Sequence, residues 1–216
     1  MLTRADQGVD IVTPKVVNGI RSKERIRDQG EVMTPPKIVE EMLDLIPPEA
    51  WATPAFPLLE PSCGSGNFVI AALERRINAL KDNGTKTNTA IKQAFNTMFA
   101  VDICGDNIKE TRIRAITLAC LRIDDSKKKD TAKLLRNLIA IVRYNITKVP
   151  DTLQILEHLK ERKYFLNTKG IHMKKALPLP ERSKLLDEVG QEFEDALKFM
   201  AKCKASLAVK QSEVIG

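Results

Sequence analysis

The chain reads as an α/β protein, an open sheet of parallel strands with flanking helices followed by a C-terminal helical segment. Three observations carry this reading. Two short apolar runs, "PLLEP" and "MFAVD", each end in an acid, Glu60 and Asp102. Stretches with an apolar residue every three or four positions lie between and after them, the period of a helix. A turn drawn only from Ser, Cys and Gly, "SCGSG" at 62–66, joins the first run to its helix. Strand, helix and strand in alternation call for parallel pairing through right-handed crossovers.

The elements follow in order. Residues 1–30 are polar without sustained periodicity and form an N-terminal arm. In "GEVMTPPKIVEEMLDLI", Thr34 is the expected N-cap, Pro35 or Pro36 suits the first helical turn, and Ile38, Val39, Met42, Leu43 and Ile46 make the apolar stripe. "PPEAWATPAFP" is a proline-rich connector into the first strand. A helix is expected over about 67–81, with Val69, Ile70, Leu73, Ile77 and Leu80 inward. "KDNGTKTNT" reads as a loop, 90–96 as a short helix, and Met98 to Val101 as a buried strand. Helices are expected over about 108–122 and 131–143, and "NITKVPDTL" holds a third short strand. The core thus spans 31–155, and 156–216 supplies a basic segment and an amphipathic helix. In that helix Leu186, Val189, Phe193, Ala196, Met200, Cys203 and Leu207 recur at alternating spacings of 3 and 4, the period of a coiled-coil seam. Such a stripe faces a protein partner or a second copy, or packs back onto this domain's own sheet; Gly190 in its middle weakens a long independent coil.

Composition narrows the class. With 43% hydrophobic and 29% charged residues in 216, this is one globular domain, or one domain with an appendage, and not a disordered chain. No apolar run approaches the roughly 20 residues of a membrane span, and "MLTRADQGVD" lacks the apolar core of a secretory signal, so a cytoplasmic location is expected. Cys63, Cys104, Cys120 and Cys203 form no CxxC pair, which points to reduced thiols rather than a metal site or a disulfide framework. The net charge is +7, and 143–175 carries eight basic against three acidic side chains, with Tyr164 and Phe165 among them. That mixture suits a nucleic-acid backbone with unstacked bases, or equally a solvated face over two core aromatics.

In open α/β sheets, ligands sit beyond the carboxyl ends of the strands where the winding order reverses. Both acid-tipped turns are expected there. Gly64 and Gly66 let backbone approach a ligand closely, and Asn67 and Phe68 begin a helix whose first amides face the same crevice. No GKS or GKT follows the glycines, and the spacing is not GxGxxG, so neither a phosphate-cradling loop nor a dinucleotide fingerprint is present. Glu60 would repel a pyrophosphate and attract a cationic group, while Asp102 is placed to accept from a ribose diol.

"LLEPSCGSGNF" resembles motif I, "FAVDI" motif II, and the upstream "GEVMTPPKIVEEML" motif X of the S-adenosyl-L-methionine-dependent DNA adenine methyltransferases of restriction-modification and phage systems. The match spans about 28–122. The resemblance implies an incomplete Rossmann-like methyltransferase sheet, S-adenosyl-L-methionine as cofactor and DNA as partner. It places Met33 and Thr34 at the methionine end of the cofactor. Glu60, Ser62, Gly64 and Phe68 would surround its amino and carboxylate groups, with Pro61 and Asn67 in the same binding stretch. Asp102 would take the ribose hydroxyls and Ile103 the adenine ring. "VPDTL" resembles motif III, which puts Asp151 near the adenine exocyclic amine. Each has a plainer role as well: Glu60, Asp102 and Asp151 as turn residues, Phe68 as core, Cys63 as a small filler.

One motif is missing. Methylating an exocyclic amine requires a flipped base held on an aromatic ring, in this family the task of Asn, Asp or Ser followed by Pro-Pro-aromatic. The two Pro-Pro pairs, "TPPK" and "IPPE", lie upstream of motif I and precede no aromatic. No catalytic residue is assigned. Three readings follow: a methyltransferase subunit or truncated relative needing another chain for the catalytic motif; an inactive cofactor-binding regulatory or antirestriction partner; or a compact enzyme with a different loop, around His158, Tyr164 and Asn167.

Overall fold

The computed structural model describes residues 34–124 and 128–149, the latter from Asp130 onward with side chains. Met33, Asp151, the N-terminal arm, most of the basic segment and the Leu186 to Leu207 stripe lie outside the described residues. Within them the chain is α/β, with three parallel strands and six helices.

Helix α1 runs Pro36–Leu43. Pro36 occupies its first position and Pro35, not Thr34, is the N-cap, with no side-chain cap bond. The displacement has a simple cause: Pro35 is extended at φ −59° and ψ 147°, and a residue before proline is pushed out of the helical region. Val39 and Leu43 are buried and Ile46 packs against the core, while Ile38 and Met42 are 42% and 49% exposed, so three of the five expected stripe positions face inward. The connector holds a helical turn that its prolines disguise, α2 at Pro48–Trp51, which buries Trp51. Pro48 sits where its missing N–H costs nothing. Arg76 is 1% exposed and holds this connector by donating to the Ala50 and Phe56 carbonyls and to the Thr97 hydroxyl.

Strand β1 is Leu58–Glu60 and helix α3 is Asn67–Asp82, with Val69, Ile70, Leu73, Ile77 and Leu80 all buried as the period requires. Gly84, at φ +83°, ends α3: its N–H reaches the Lys81 carbonyl and that of Thr85 the Leu80 carbonyl, a Schellman closure. Helix α4, Thr87–Asn96, starts three residues earlier than its apolar pattern suggests. Asn88 there exchanges two hydrogen bonds with the backbone of Asp124, so a polar stretch that reads as loop is a docked first turn. Strand β2, Met98–Asp102, is buried throughout. Helix α5, Gly105–Arg122, and helix α6, Lys128–Asn145, lead to β3, Ile146–Lys148.

The strands pair in the order β1-β2-β3, both contacts parallel. Right-handed crossovers stepping twice in the same direction put all the connecting helices on one face. Side-chain alternation agrees: Met98, Ala100 and Ile146 join the helices in one core, with Leu58 against it. A reversal of winding order, expected beside the glycine turn, does not occur among the described strands, because β2 and β3 follow β1 on the same side. Among the described residues no helix is long and apolar enough to cross a membrane.

Candidate functional site

Both acid-tipped turns leave the carboxyl end of the sheet. In the β1–β2 register Glu60 faces Ala100, and Asp102 is two residues farther along β2, so both side chains rise from the same face of adjacent strands. They are close enough for the Asp102 carboxylate to push the Glu60 carboxyl upward. Burial is the larger cause of that upward shift, and a hydrogen bond from the Ser62 N–H to Glu60 Oε1 at 3.0 Å partly offsets it. Between them lies Cys63, 7% exposed, whose thiol is pushed up to about 12 by burial and then by the Asp102 charge. Lys148 stands in register beside Asp102 at the tip of β3. The three tips thus line up as carboxyl, carboxylate and ammonium.

The glycine turn is laid across this edge by hydrogen bonds that run through Asp102. Its Oδ2 accepts the Gly64 N–H at 2.9 Å, and its Oδ1 accepts the Cys104 N–H at 2.7 Å and Asn107 Nδ2 at 3.4 Å. Asp102 is 5% exposed. A carboxylate offers about four acceptor positions, so about one is left for a ligand hydroxyl. The plain role of turn anchor is therefore built, and a ribose diol would find room for one bond rather than two.

Helix α5 clamps the turn from below. Thr111 donates to the Gly64 carbonyl at 3.0 Å, and Arg114 Nη1 donates to the Ser65 carbonyl at 2.6 Å and Asn67 Oδ1 at 2.9 Å. Asn67 in turn donates through Nδ2 to the Thr34 carbonyl at 2.9 Å, which ties the start of α1 to the same loop. Gly66, at φ +92°, must be glycine twice over, since a Cβ there would lie 2.7 Å from Thr111 Cγ2. Gly64, at φ +51°, faces open space. The first amides of α3 have no acceptor within the helix and emerge beside this turn.

Register and hydrogen bonds therefore bring Thr34, Glu60, Ser62, Gly64, Asn67 and Asp102 together around the glycine turn. Pro61 and Ser62 are exposed, and Ile103 is 52% exposed immediately after Asp102. Phe68 is half-buried and packs against the core, as in its plainer reading. Thr111, Arg114 and Lys148 were not singled out by the sequence. The first two break the apolar face of α5 at a spacing of three, which is the signal that could have found them. A separate surface hollow along α3, lined by Glu40, Glu74, Arg75 and Asp82, is crossed by the ion pairs of Arg75 with Glu40 and Asp44 and lies on other residues entirely.

Compared with protein-family models, curated proteins and solved structures, the chain matches none. The site has to be read from its own chemistry. Two acidic groups share one face, one of them held protonated more readily than usual by burial, and Lys148 stands beside the other. Gly64 in the turn is half-buried, and Ile103 beside it is exposed.

Proposed function

We propose that this chain binds S-adenosyl-L-methionine at the carboxyl ends of β1 and β2 and is a DNA adenine methyltransferase-like protein with a Rossmann-like core. The single observation that carries the reading is the placement of Glu60 and Asp102 on one face of adjacent strand tips, with the glycine turn bonded across them. Glu60 attracts the ligand's cationic amino group, and that partner restores the charged form which burial disfavours. Asp102 orients the turn and takes one ribose hydroxyl. Ile103 packs on the base, and the Gly64 to Phe68 stretch presents backbone to the carboxylate end. Met33 and Asp151 complete the reading from outside the described residues. The bound group supplies an electrophilic methyl; this chain's contribution is to hold and orient it.

DNA is the proposed partner, with the basic 143–175 stretch as its contact and another chain supplying the aromatic base-holding motif. The lack of that motif equally favours an inactive, cofactor-binding regulatory or antirestriction protein. A methyl-transfer assay on unmodified DNA separates them. The subunit reading expects incorporation only when the cognate chain is added, whereas the inactive reading expects none in either case. Calorimetric titration tests what both share: no heat with S-adenosyl-L-methionine up to about 1 mM, a binding energy near 4 kcal/mol, would overturn both.

A further inference from the structure

The sheet has two faces, and the described helices account for one. Leu59, Phe99, Val101 and Thr147 project from the other, by the alternation and register of the strands, and Val149 follows Thr147 on the same side. Phe99, Val101 and Val149 are 3%, 1% and 0% exposed, yet none belongs to the core that the helices form with Met98, Ala100 and Ile146. A sheet face this apolar needs a covering layer.

We propose that the Leu186 to Leu207 stripe of this same chain is that layer, packed across Phe99, Val101 and Val149. The chain continues from Val149 at the edge of β3 with 67 residues, 150–216, of which 36 precede Leu186. That is ample for a crossover to the opposite face. A helix over the 22 positions of the stripe is about 33 Å long. The three-strand sheet is about 10 Å across and β2 about 17 Å long, so one such helix spans the face. The stripe's apolar side chains, Phe193 and Met200 among them, match the aliphatic and aromatic surface they would meet. The 3 and 4 spacing is then that of a core-facing helix rather than of a seam between copies. This assignment is independent of the ligand proposed above.

Leu59, 38% exposed on that face, gives a handle, and Cys203 lies within the stripe. In the full-length Leu59→Cys variant, a short bismaleimide should link position 59 to Cys203 within one molecule, located by peptide mapping of the monomer band. A link only between molecules, or none while both thiols react singly, would overturn the proposal. Independently, Phe193→Ala in the full chain should speed hydrogen exchange of the β2 amides at least tenfold while the protein stays the same size in solution. Unchanged β2 exchange, or a dimer converted to monomer with the sheet unaffected, would place the stripe elsewhere and refute it.

Discussion

Replacing Gly66 by alanine tests how the site is built. At φ +92° an alanine adopts a left-handed conformation that costs about 1–2 kcal/mol. Its Cβ would lie 2.7 Å from Thr111 Cγ2 and 2.8 Å from Oγ1, so Thr111, which is fully buried, has to move. Such overpacking costs about 1–3 kcal/mol. Moving Thr111 also gives up its bond to the Gly64 carbonyl, about 1 kcal/mol more. Together these come to about 3–6 kcal/mol, a large part of a typical domain's 5–15. Gly64→Ala supplies the control, because it meets the conformational cost alone, about 1–2 kcal/mol, with nothing within 4 Å of its Cβ. Urea unfolding followed by the single tryptophan gives both values. Adding Thr111→Ala to Gly66→Ala should recover part of the loss. Should Gly66→Ala cost no more than Gly64→Ala, the close packing of α5 beneath the turn is wrong.

Burial raises the Glu60 carboxyl, so the folded state binds its proton more readily than the unfolded chain. That contribution to stability is fully present below the ordinary carboxyl value near 4.5 and is lost as pH rises through the raised one. Glu60→Gln should therefore unfold at higher urea than the parent at pH 7, with the gap closing below about pH 4.5; a gap independent of pH would contradict the burial. Cys63, with its thiol pushed up to about 12, should resist iodoacetamide at pH 8 until urea unfolds the protein, as mass mapping would show. Trp51→Ala removes a ring that is 4% exposed and stacked near Arg75 and Arg76, and should cost about 3–5 kcal/mol in the same unfolding assay.

Much of this was legible because the pattern is local. The five inward positions of α3 and the apolar run of β2 announce themselves by period alone, and the acids at the two strand ends can be read directly. What sequence hides is partnership. Thr87 to Thr89 look like loop because the reason for their helix is Asn88 meeting Asp124, thirty-six positions away. Pro35 displaces Thr34 as cap through a steric effect of its neighbour, and the proline connector conceals the turn that buries Trp51. Asp102 shows the same limit within the site. Its position at a strand end is readable, but that its carboxylate already serves Gly64, Cys104 and Asn107 depends on how two turns and a helix meet.

The central claim is that the strand-tip carboxyls of β1 and β2 bind one cationic nucleoside. The most direct test is calorimetric titration of S-adenosyl-L-methionine into the parent and into Glu60→Gln, which keeps the shape and the Ser62 hydrogen bond and removes the charge. Loss of a charged hydrogen bond worth about 1.5–3 kcal/mol predicts affinity about ten- to a hundredfold weaker in a protein no less stable. Equal affinity in the two proteins would contradict the account.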